Sequence, residues 1–186
     1  MATIRRPART PHLLALVAAL AALDAPVAQA TTLALSAGHG ERTNIFAIAG
    51  VWDGASPLIE RKTWRVTPHI ELELKDFEGL RSGQTGYQRV AALGVTPVAR
   101  IEWPGEAYRP FAEFGVGINL LSHTKLLQDP DFSTAFQFGE FLGAGLRFGA
   151  RGAWEVGARV QHMSNGDIKL PNDGLNFGTL RLAYHF

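Results

Sequence analysis

The chain contains no cysteine. A disulfide framework and thiolate chemistry are therefore excluded. Long apolar runs are missing too. The run Leu13–Leu23, LLALVAALAAL, has eleven residues, whereas a membrane-spanning helix needs about 20, and no apolar run of that length follows it. Charge of one sign is not in excess. Setting aside Arg5, Arg6, Arg9 and Asp24, which precede position 30, leaves 15 basic and 16 acidic residues of the chain's 18 and 17. Nothing in that balance points to nucleic acid. Repeats and low-complexity linkers are absent, and helical periodicity is weak beyond residue 30.

What the N-terminus does contain is a leader pattern. Arg5, Arg6 and Arg9 form a basic start, the eleven-residue apolar run follows, and APVAQA offers Ala28 and Ala30 as the small residues of a cleavage site. This predicts a signal peptide over 1–30 and a single domain over 31–186. An exported chain without a spanning helix is secreted, periplasmic or an outer-membrane β-barrel.

From residue 31 on, segments of about ten residues alternate with period 2 and are punctuated by Gly, Pro, Asp and Asn. Eight strands are predicted, at 32–39, 44–53, 63–75, 87–101, 108–120, 134–148, 153–164 and 175–186. Eight strands fit a sandwich or a barrel. In AWEVGARVQHMS one face carries Trp154, Val156, Ala158 and Val160, the other Glu155, Gly157, Arg159 and Gln161. In the last strand Leu180, Leu182, Tyr184 and Phe186 oppose Thr179, Arg181, Ala183 and His185. Glycine mixed with charge suits a narrow polar lumen, and apolar faces ending in Phe148, Trp154 and Tyr184 suit a lipid-facing wall with an aromatic girdle. The terminal Phe186, preceded by Tyr184, Leu182 and Leu180 at alternate positions, resembles the ending of bacterial outer-membrane barrels. The expectation is an all-β, eight-stranded antiparallel outer-membrane β-barrel. Eight strands leave an interior filled by side chains, so no wide pore is expected.

Against that frame QHMSNGDIKLPNDGLN, residues 161–176, stands out. Continuing the lipid-facing parity beyond Val160 reaches His162 and Ser164, and the same parity of the last strand begins at Asn176. Matching apolar faces across the GARG turn pairs Phe148 with Trp154, Leu142 with Val160 and Glu140 with His162. The same matching sets Trp154 against Tyr184, Val160 against Gly178 and His162 against Asn176. Directly opposed Cβ atoms lie about 5 Å apart, and a one-residue slip would undo the arrangement. A Ser hydroxyl becomes a good nucleophile when a His takes its proton, and the His must be held in one tautomer by a third group. Asn176 or Glu140 fills that third place. Asn165, Asn172 and the backbone N–H groups of a loop tightened by Gly166, Pro171 and Gly174 are candidate oxyanion donors. The bland alternative is an ordinary polar extracellular loop, but such a loop gains nothing from a His–Ser pair aimed at acyl chains.

At these residues the sequence resembles the lipid A 3-O-deacylase (PagL-like, acyloxyacyl hydrolase) family of outer-membrane enzymes. The shared pattern is His162-x-Ser164-Asn165, five residues, then Pro171-Asn172-Asp173-Gly174. Pro110–Gly117 and Phe136–Phe148 add further matches. The likeness covers the last eighty or so residues well and the first half by strand pattern. It implies an esterase on the barrel's outer wall, with Ser164 as nucleophile, His162 as base, and Asn165 and Asn172 supporting the oxyanion. The substrate implied is lipid A of the outer-leaflet lipopolysaccharide, among membrane lipids, with no metal or organic cofactor. A homodimer stays open. The family pattern has Glu where this chain has Asn176, and a small residue where it has Asp167. A neutral amide orients the imidazole but stabilises imidazolium less, so lower activity or a share of the role for Glu140 is expected. Two other readings remain, a non-catalytic structural or adhesive barrel and an acyltransferase using the same Ser–His pair.

Overall fold

The computed structural model describes residues 30–40, 43–80, 87–124 and 132–186. The leader expected over 1–30 lies, except for Ala30, outside the described residues. Eight long strands follow in chain order: β1 (Thr32–Gly40), β2 (Thr43–Asp53), β4 (Arg65–Leu80), β5 (Tyr87–Glu102), β6 (Tyr108–Leu121), β7 (Phe136–Phe148), β8 (Trp154–Ser164) and β9 (Leu175–His185). A two-residue β3 (Ile59–Glu60) pairs with the start of β4, past the end of β2. Each long strand is antiparallel to its neighbours. β1 pairs with β9, and β2 pairs with β4, so the sheet closes into a barrel.

The alternation is that of a membrane barrel, polar inside and apolar outside. Leu35, Ile70, Val95, Phe114, Leu142, Val160, Leu180 and Leu182 lie exposed on the outer wall, while Glu71, Arg100, Glu113, Glu155, Arg159 and Arg181 are buried in the lumen. The registers expected for the last strands are all present. Phe148 faces Trp154, Leu142 faces Val160 and Glu140 faces His162 across β7 and β8. Trp154 faces Tyr184, Val160 faces Gly178 and His162 faces Asn176 across β8 and β9.

Inside, three arginines and three glutamates alternate around a closed ring: Arg100–Glu113, Glu113–Arg159, Arg159–Glu71, Glu71–Arg181, Arg181–Glu155 and Glu155–Arg100. Arg100 and Arg159 also lie over the Phe111 and Phe141 rings, at 4.1 and 3.9 Å from the centroids. Ions this buried persist only when each has a partner.

Two expectations need correcting. The lumen is not polar throughout. Ile45, Phe77, Val90, Leu121, Phe132, Met163, Leu175 and Phe177 form an apolar layer at the end of the barrel that carries the β8–β9 loop. The strand expected at 63–75 runs instead from Arg65 to Leu80. Lys75-Asp76-Phe77-Glu78 reads as a charged break, yet it keeps the alternation. Phe77 turns inward into the apolar layer. Asp76 and Glu78 turn outward and meet Arg89 of β5 at 3.7 and 2.8 Å. The ladder thus continues beyond the apolar band on ion pairs.

Candidate active site

The rim of β7, β8 and β9 carries the singled-out residues. Inward-pointing Met163, Leu175 and Phe177 sit in the apolar layer. That fixes the strands, and the alternation turns His162, Ser164 and Asn176 to the outer wall. Just below them Leu142, Val160 and Leu180 are exposed hydrocarbon, at 61%, 67% and 72% accessibility. Just above lies the polar loop 165–174. The group therefore sits where an apolar wall gives way to polar chain, the level at which a lipid's ester linkages lie.

His162 Nδ1 and Asn176 Oδ1 are 2.8 Å apart. An amide oxygen only accepts, so Nδ1 donates, which in the neutral imidazole leaves the lone pair on Nε2. Glu140, opposite His162 on the other side, is exposed and shares no hydrogen bond with it, whereas Asn176 is bonded to the imidazole. Ser164 lies two residues along β8 from His162, on the same face, and its Oγ makes no side-chain hydrogen bond among the described residues. Gly174 closes on the imidazole from the loop side, at φ +71°. A Cβ there would stand 2.7 Å from His162 Cε1 and 3.2 Å from Nε2. No other residue fits that position without moving the ring.

The loop is tied by its own amides. Asn165 is buried at 1% accessibility. Its Nδ2 donates toward Ser133 Oγ at 2.6 Å and the Lys169 carbonyl at 2.7 Å, two acceptors that are themselves 2.6 Å apart. Its backbone N–H donates to Asn172 Oδ1 at 2.8 Å, and Asn172 Nδ2 donates to Asp167 Oδ1 at 2.9 Å. Asp167 occupies a left-handed conformation, φ 62°, which a short polar side chain tolerates. The two asparagines therefore brace the loop, and the sequence pattern gives no hint of the Ser133 and Asp167 contacts. Gly166 (φ +61°) rests on Phe138, where a Cβ would come within 3.2 Å of the ring, and Phe138 is the ladder partner of Ser164.

A sequence model of the lipid A 3-O-deacylase (PagL) family matches residues 46–185, which takes in every residue of this site. The chain belongs to this family. Its match begins in β2, so the likeness extends well beyond the C-terminal half. Among its relatives, the lipid A deacylase PagL of Pseudomonas aeruginosa is 31% identical over 163 residues, 87% of this chain and 90% of the relative. The lipid A deacylase PagL of Bordetella bronchiseptica is 37% identical over 84 residues, 45% of this chain and 44% of the relative. The crystal structure of the outer membrane enzyme PagL superposes with a TM-score of 0.74 at 26% identity, covering 83% of this chain and 99% of the other. This member of the lipid A 3-O-deacylase family is accordingly an outer-membrane β-barrel hydrolase.

Proposed function

We propose that this chain hydrolyses the ester joining a 3-hydroxyacyl chain to the 3-position of the lipid A glucosamine, with Ser164 as nucleophile and His162 as general base. The observation that carries the reading is the His162–Asn176 bond on the lipid-facing wall, beside a Ser of the same parity. Ser164 Oγ attacks the ester carbonyl while His162 Nε2 takes its proton. The tetrahedral oxyanion is stabilised by backbone N–H groups of the loop that Asn165 and Asn172 brace. Collapse breaks the ester C–O bond, and the sugar 3-hydroxyl leaves with the proton from His162. Water, deprotonated by the same nitrogen, then cleaves the acyl-Ser164 ester and releases a 3-hydroxy fatty acid. A Ser–His hydrogen bond that forms only with substrate bound is usual for such sites.

The mass spectrum of lipid A from cells producing the protein tests this. The wild type removes one 3-hydroxyacyl mass, and Ser164→Ala and His162→Asn leave lipid A intact while the barrel folds. Deacylation by Ser164→Ala would overturn the mechanism. We also propose that residues 1–30 are a leader removed on export, so that the membrane-bound protein begins at Thr31; N-terminal sequencing that finds Met1 would refute it.

A further inference from the structure

Ser133 belongs to the segment between β6 and β7 and is 31 positions from Ser164 in the sequence, yet it completes the brace of the catalytic loop. Its Oγ accepts from Asn165 Nδ2 at 2.6 Å and donates to the Lys169 carbonyl at 2.6 Å. Asn165 donates to that carbonyl as well, at 2.7 Å. The three groups form a closed cycle, and only a hydroxyl both accepts and donates as the Ser133 position requires. The cycle has little slack. Asn165 Oδ1 is already buried without a hydrogen-bond partner, so losing Ser133 Oγ would leave this buried amide tied through the Lys169 carbonyl alone among the described residues.

What the cycle fixes is the backbone directly after the nucleophile. Residues 165–169 are held at both ends, by Asn165 and by Lys169, and Gly166 between them lies against Phe138, the partner of Ser164. The position of the loop's N–H groups relative to Ser164 Oγ therefore depends on a residue from a neighbouring loop. We infer that Ser133 is a positioning residue of the hydrolysis, holding the oxyanion-stabilising backbone in register with Ser164. The inference rests on the Ser164–His162 reading above.

The test uses the full barrel in detergent micelles with purified lipid A, measuring kcat and KM per folded molecule. Folded fraction is read from heat-modifiable migration on gels. Ser133→Ala is expected to lower kcat about tenfold to a hundredfold, the effect of a small misplacement of reacting groups, while KM stays put. Ser133→Thr, which keeps the hydroxyl, restores kcat, and the similarly shaped Ser133→Val does not. The Ser133→Ala, Asn165→Ala double variant is no worse than Asn165→Ala alone, because both act through one cycle. An unchanged kcat in Ser133→Ala overturns the inference, as does a Thr variant no better than Val. So does failure of both the Ala and Val proteins to fold, since the hydroxyl then serves the barrel. Ser164→Ala separates the two readings. If it retains activity, the Ser–His mechanism fails whatever Ser133 does. If it is dead while Ser133→Ala keeps its kcat, only the role of Ser133 falls.

Discussion

At the scale of single residues the site turns on how an imidazole is held. His162 is oriented by a neutral amide 2.8 Å away, and a carboxylate in that place would form a bond about twice as strong to the imidazolium that develops. Asn176→Asp changes the charge and not the shape, so kcat is expected to rise about tenfold, the effect of about 1.4 kcal/mol in the barrier. Asn176→Ala is expected to lower it by about tenfold or more, and Glu140→Gln to leave it nearly unchanged. Steady-state deacylation rates of the three variants check this; a dead Glu140→Gln protein would move the third role to β7. Gly174→Ala forces a Cβ to within 2.7 Å of the imidazole and should cost about a hundredfold in kcat. An intact rate would mean the loop has room to shift. The placement of His162 and Ser164 was legible in the sequence because parity is a local property: once Val160 faces lipid, so do they. Ser133 and the Asp167–Asn172 bond were not, because loop contacts follow no period.

At the scale of strands, the same alternation that exposes His162 and Ser164 buries the residue between them. Met163 is 1% accessible and packs with Leu175 and Phe177 of β9 in the apolar layer under the rim. That layer packs the ends of β8 and β9 together beneath the rim. Met163→Ala is expected to cost about 2–5 kcal/mol, seen as a lower temperature for loss of the folded band on gels. Leu182→Ala, on the lipid-facing wall at 46% accessibility, should change that temperature far less. Equal effects would show that the layer does not hold the rim. Register and closure were readable because apolar faces pair only one way. The extension of β4 to Leu80 was not, because Asp76 and Glu78 look like a turn until Arg89 on the next strand is seen beside them. Nor was the apolar layer, which gathers Ile45, Phe77, Leu121 and Phe177 from distant strands.

The barrel as a whole divides its labour by wall. The outer wall carries the proposed Ser–His site, and the lumen carries an ionic ring of zero net charge. The ring is uneven. Arg159 donates three hydrogen bonds, one to Glu113 at 2.7 Å and two to Glu71 at 2.8 and 2.7 Å. Arg181 donates one, to Glu71 at 3.0 Å. Its Nε reaches Glu155 only at 3.6 Å, and Nε and Nη1 are buried without a hydrogen-bond partner. Removing one member of a buried ion pair strands its partner and costs about 3–5 kcal/mol. Arg159→Leu removes three short bonds and leaves Glu113 with Arg100 and Glu71 with the longer contact to Arg181, so it is expected to fall within that range. Arg181→Leu gives up weaker contacts and removes two unsatisfied donors, so it should cost clearly less. The unfolding free energies of the two variants in urea, from micelles, decide the order, and an equal or reversed cost would contradict this account of the ring. Neither variant touches the outer wall, so kcat/KM per folded molecule should stay at the wild-type value in both. A fall in Arg159→Leu that matches its loss of stability would instead show that the lumen sets the geometry of β8, on which Arg159 and the Ser–His pair both stand.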